Sequence, residues 1–122
     1  MKICVTSQGN NLEAAVDPRF GRCQYFLYID SETNDFSAQE NPFKDGGGAG
    51  IQTGQVMADQ KVDVVLTGNV GPNAFQTLQA AGIKVITSTT GTVQQAYENY
   101  KKGAVGPSAE GPSVESHFGT NQ

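Results

Sequence analysis

At 122 residues, with 37% hydrophobic and 16% charged residues, the chain has the length for one domain with a buried core and is low in charge. A formal net charge of −4 argues against a nucleic-acid partner, which calls for a clustered basic face, and no apolar run approaches the length of a membrane span. Met1-Lys2-Ile3-Cys4-Val5 leads into a strand rather than a secretory signal, so the expected compartment is the cytoplasm, where Cys4 and Cys23 read as reduced thiols.

In chain order, Lys2 to Ser7 predicts a first strand. A polar loop from Gln8 to Ala15 follows, then a compact turn at Asp17-Pro18-Arg19-Phe20-Gly21-Arg22, where Pro18 fixes its own φ and restrains Asp17. Tyr25 to Ile29 and Phe36 to Asn41 read as a hairpin about the turn residues Ser31 to Asp35. Gly46-Gly47-Gly48-Ala49-Gly50 then opens onto a helix whose apolar spacing runs through Ile51, Gly54, Met57 and Val62. Gly54 inside that helix suggests close packing.

Val62 to Thr67 is apolar enough for a strand buried on both faces. Gly68-Asn69-Val70-Gly71 turns into a helix that starts at Pro72 and stops at Gly82. Ile83 to Ile86 is a fifth strand, and Thr92-Val93-Gln94-Gln95 has the form of a capping box for a last helix ending at Gly103. The pattern predicts one α/β domain over residues 1–103, with a mixed five-stranded sheet and flanking helices. Residues 104–122, rich in Gly, Pro, Ser and Glu, read as a loosely ordered tail.

Chemistry is expected at three junctions: Gly46–Gly50, Gly68–Asn73 and Thr87–Thr92. In an open α/β sheet such junctions share one edge, so three helix N-termini would converge there and favour an anion. The candidate anion-binding residues are Gly46, Gly47, Gly48 and Gly50, then Asn69, Gly71 and Asn73, then Thr89 and Thr90, with Arg19 as the cation. Cys23, beside Arg22 and four residues after Arg19, is either a thiolate favoured by those cations and available to a metal, or a packed core residue. His117 is either a metal ligand or a solvated tail residue. The sequence has no P-loop, no nucleophile elbow and no acidic residue on the first strand, so it offers no catalytic constellation.

With these segments laid out, the chain resembles the nitrogenase iron–molybdenum cofactor biosynthesis family, the NifX-like proteins and the C-terminal domain of NifB-like proteins. The matching pieces are Asp17-Pro18-Arg19-Phe20-Gly21-Arg22, Phe26 to Asp30, Gly47-Gly48-Ala49-Gly50-Ile51, Val62 to Val65, Gly68 to Ala74, and Leu78 with Ala81-Gly82-Ile83. The resemblance implies a ribonuclease H-like topology without the nuclease acids. It also implies binding, storage or transfer of iron–sulfur or molybdenum-containing clusters, with cluster donor and acceptor proteins as partners and no catalysis. Many relatives place a histidine just before the glycine loop, where this chain has Lys44-Asp45. That difference favours a non-covalently held anionic cluster. The residues alone leave two other readings open: a small phosphate- or nucleotide-binding sensor or enzyme, and a regulatory interaction protein whose glycine loop is purely structural.

Overall fold

A computed structural model of the protein describes residues 1–45, 49–104 and 109–112. Eight elements follow in chain order: β1 (Lys2–Ser7), β2 (Tyr25–Asp30), β3 (Phe36–Glu40), α1 (Ala49–Asp59), β4 (Val64–Leu66), α2 (Pro72–Ala80), β5 (Lys84–Ile86) and α3 (Val93–Lys101). The strands form one mixed sheet in the order β3-β2-β1-β4-β5, with β1, β4 and β5 parallel and the β2-β3 hairpin antiparallel. The predicted single α/β domain with a five-stranded mixed sheet is thus observed.

Strand alternation sorts the side chains into two apolar layers. Cys4, Phe26, Tyr28, Val65 and Val85 face α1 and α2, where they join Met57, Phe75 and Leu78. Ile3, Val5, Leu27, Ile29, Val64, Leu66 and Ile86 face the other way and join Val93, Ala96 and Tyr97 of α3. Coverage on both faces explains why β4 is wholly apolar and why β1 is apolar from Ile3 to Val5. Edge strand β3 is mostly exposed.

The helices follow from local chemistry. Pro72 opens α2 behind an extended Gly71. Both halves of the α3 capping box form: Gln95 N–H donates to Thr92 Oγ1 at 3.1 Å, and Thr92 N–H donates to Gln95 Oε1 at 3.0 Å. The close packing expected at Gly54 is present, since a Cβ there would lie 2.6 Å from Thr77 Cγ2. Ile51, however, is exposed, because α1 buries the face formed by Ala49, Thr53, Gly54 and Met57. Within the tail, Ala109 N–H donates to Val85 O at 2.7 Å, which ties the chain to the β5 edge at that point.

Candidate functional site

Three segments meet beyond the C-terminal ends of β1 and β4. The turn at 17–23 is the keystone. Thr6 Oγ1, on β1, donates to Asp17 O at 2.7 Å and lies 2.8 Å from Thr67 Oγ1, which follows β4. Asn69 N–H donates to Pro18 O at 2.7 Å and Phe20 N–H donates to Asn69 O at 3.3 Å, so Arg19 lies alongside Asn69 in a short parallel bridge. Gly68 and Gly21 let these backbones touch. A Cβ on Gly68 would sit 2.6 Å from Pro18 Cα, and one on Gly21 would sit 2.9 Å from Gly50 N. Gly50 in turn packs on Ala74, where a Cβ would lie 3.2 Å from the alanine Cβ. The start of α1, the start of α2 and the Arg19 turn therefore form one continuous rim.

Of the residues expected at the site, Arg19, Asn69 and Asn73 are exposed on this rim and Gly50 and Gly71 are half-buried. Thr89 and Thr90 enter from the next junction, where Thr89 N–H donates to Thr67 O at 3.0 Å and Ser88 N–H donates to Gly68 O at 2.8 Å. Thr90 is exposed, whereas the Thr89 hydroxyl faces back toward Ile86 O at 3.4 Å. Gly46, Gly47, Gly48 and His117 lie outside the described residues.

One expectation is corrected by the geometry. The α3 N-terminus does not join the other two. Val93 N–H donates to Ala14 O and Gln94 N–H to Leu12 O, both at 2.9 Å, while Gln95 N–H is taken by its cap. The 12–15 segment thus satisfies the first turn that was expected to face a ligand. Two helix N-termini, those of α1 and α2, remain at the rim, and no side chain caps α2.

The buried polar residues behind the rim were not singled out in the sequence. Asp17 and Asn41 are fully buried, and each precedes a proline. Asp17 Oδ1 accepts the N–H of Arg19 at 3.0 Å and Asn41 Oδ1 that of Phe43 at 2.9 Å, the same turn used twice. Asn41 Nδ2 also donates to Gly21 O and Cys23 O, both at 3.0 Å. Arg22 donates from Nη1 to Lys44 O at 2.9 Å, so the 41–45 segment leading into the glycine loop is held against the Arg19 turn. The signal for this framework was present as two Asx-Pro dipeptides, one between β1 and β2 and one between β3 and α1.

Cys23 does not have the low thiol pKa that Arg19 and Arg22 suggested. Burial pushes it well up, and the Asp17 carboxylate adds to that effect more than Arg19 opposes it. Cys4 is raised by burial and then by Cys23. Hydrogen bonding to Asp17 raises Arg19 above its ordinary value, which keeps the guanidinium charged. Among the described residues, no three His, Cys, Asp or Glu side chains gather to ligate a metal ion. The donor set on the rim consists of backbone N–H groups, amides, a hydroxyl and one guanidinium, and these suit an anion held by hydrogen bonds.

Fold and rim together define an α/β domain that presents two helix N-termini beyond its parallel strands. The chain belongs to the family described as dinitrogenase iron-molybdenum cofactor, which matches residues 1–103. It is similar to the apo form of the orange protein of Desulfovibrio gigas, at 44% identity and a TM-score of 0.88 over 92% of this chain and 95% of that one. It is also similar to a provisionally assigned NifB protein from Thermotoga, at 35% identity and a TM-score of 0.78 over 87% and 91%. A protein of Methanocaldococcus jannaschii described as uncharacterized is 26% identical over 107 residues, 84% of this chain and 87% of the relative.

Proposed function

We propose that this protein is a non-enzymatic accessory protein that binds, stores or hands over an anionic metal–sulfur cluster of the iron–molybdenum-cofactor type or a related iron– or molybdenum–sulfur species. The cluster is its cargo. The observation that carries this reading is the convergence of the α1 and α2 starts with Arg19 on one rim, through the Gly21–Gly50 and Gly50–Ala74 contacts. Those N–H donors suit an anion that needs no protein ligand at the metal, in keeping with Lys44-Asp45 ahead of the glycine loop. Family membership and the likeness to an orange protein and a NifB-assigned protein support the same class of cargo.

In this reading Gly46, Gly47 and Gly48 contribute further backbone donors, Asn69, Asn73, Thr89 and Thr90 line the approach, and Cys23 serves as core packing. A metal-ligating role for His117 is a separate candidate, which an anion held by N–H donors does not require. Partners are cluster donor and acceptor proteins rather than nucleic acid, as the net charge of −4 suggests, and the location is cytoplasmic. No helix among the described residues is long and apolar enough to cross a membrane. We read the strand order β3-β2-β1-β4-β5 as ribonuclease H-like, with a β1 that carries no acidic residue.

Purification without oxygen tests the assignment. Visible absorption together with molybdenum or iron in elemental analysis is the expected result. A colourless protein that takes up neither iron–sulfur species nor thiomolybdate, yet binds inorganic phosphate or a nucleotide, would replace this reading with the phosphate-binding one.

A further inference from the structure

The Asp17–Arg19 pair has a geometry that ordinary surface ion pairs lack. The Asp17 side chain is 0% exposed while that of Arg19 is 57% exposed. A carboxylate so deeply buried must be met by donors, and four N–H groups meet this one. Arg19 N and Nε reach Oδ1 at 3.0 and 3.1 Å, and Arg19 Nη2 and Gln24 N reach Oδ2 at 3.2 and 3.3 Å. The guanidinium therefore docks by its Nε–Nη2 edge against a fixed partner. Of its five N–H groups, two are committed to Asp17, and among the described residues no acceptor takes the others. The backbone beneath is fixed as well, by Asn69 N–H on Pro18 O and Thr6 Oγ1 on Asp17 O, both at 2.7 Å.

We propose that Asp17 is a positioning residue for the anion site: it holds Arg19 so that the remaining guanidinium N–H groups face the rim, and the site thereby selects anions that present several acceptors at once. The proposal rests on the function proposed above. A free surface arginine must be ordered when it binds, whereas a docked fork is ordered beforehand. The charge arithmetic points the same way. Asp17 and Arg19 together carry no net charge, so the pair contributes directed donors rather than a bare cation. A monatomic anion such as chloride gains little from that arrangement. A tetrahedral thioanion or the face of an anionic sulfide cluster accepts from several N–H groups together.

The test uses tetrathiomolybdate as the probe, titrated by visible spectroscopy into the full chain without oxygen. Wild type is compared with Arg19→Ala, Arg19→Lys and Asp17→Asn, and far-UV circular dichroism confirms each fold. Arg19→Lys keeps the charge and leaves Asp17 in place, so it stands even where Asp17→Asn fails to fold. Positioning predicts that Arg19→Ala and Arg19→Lys both bind about tenfold or more weakly, within about threefold of each other. A folded Asp17→Asn should join them. In wild type the Arg19 Nε–H resonance should shift as tetrathiomolybdate is added. Arg19→Lys or folded Asp17→Asn binding as wild type does would overturn the positioning role, and Arg19→Ala doing so would remove Arg19 from the site. Wild type that fails to bind the probe would sink the anion-site reading, and this proposal with it.

Discussion

Gly68→Ala probes whether the Arg19 turn is pressed against the end of β4. The added Cβ would lie 2.6 Å from Pro18 Cα, 2.8 Å from Pro18 Cβ and 2.9 Å from Pro18 O. Carbon atoms in contact sit about 3.5–4.0 Å apart, so the two segments must separate by about 1 Å. Backbone meets backbone here, and no rotamer change relieves the clash. Overpacking of this kind costs typically about 1–3 kcal/mol. Separation also weakens the Asn69–Pro18 and Phe20–Asn69 hydrogen bonds, at about 0.5–1.5 kcal/mol each. The expected loss is therefore at most roughly 2–6 kcal/mol, or a fall in melting temperature of at least about 6 °C at the lower end. Urea unfolding followed by far-UV circular dichroism reads it as a lower midpoint at unchanged slope. Gly111→Ala is the control, because a Cβ there meets nothing within 4 Å. A Gly68→Ala protein within about 0.5 kcal/mol of wild type, like that control, would refute the account of the rim.

Two further outcomes follow from the thiols and from the glycine loop. Burial raises Cys4 and Cys23 above the ordinary thiol value of 9.0, so the folded protein keeps protons that the unfolded chain loses above that pH. Stability should be flat below about pH 9 and fall above it by about 1.4 kcal/mol per pH unit for each thiol; urea midpoints that stay constant up to about pH 10.5 would contradict it. If Gly47 and Gly48 hold the anion as proposed, Gly47→Ala/Gly48→Ala should weaken tetrathiomolybdate binding at least about a hundredfold, through two charge-assisted hydrogen bonds at about 1.5–3 kcal/mol each. Unchanged affinity in a folded double variant would make the loop a connector.

Much of the architecture was legible because local and global signals agree. The aromatic and aliphatic run at Tyr25 to Ile29 before its turn residues, the mostly apolar run at Val62 to Thr67, Pro72 at a helix start and the Thr92/Gln95 box each predicted an element that forms. The misread features are long-range. Nothing within Thr92 to Gln95 reveals that Leu12 and Ala14 supply carbonyls to that helix, since the pairing spans about eighty residues of chain. For Cys23 the sequence left a thiolate and a packed core residue both open, and burial favours the second: Arg19 and Arg22 are near it in sequence, but their guanidinium groups are committed to Asp17 and Lys44 O, while the thiol turns inward. Asp17 was read for its turn alone, although an aspartate before proline with an arginine two positions later already holds the ingredients of the docked fork.

The sheet is a partition as well as a core. Its two apolar clusters share no residue: one belongs to α1 and α2, the other to α3. Substitutions made on opposite sides are linked only through the strands between them, a setting in which distant effects add nearly independently. In the proposed function, the layer under the rim can therefore change its residues, and with them the preferred anion, while the α3 layer continues to hold the strands in register. A binding site built on one side of a fold divided in this way can be altered without the other side having to be stabilised anew.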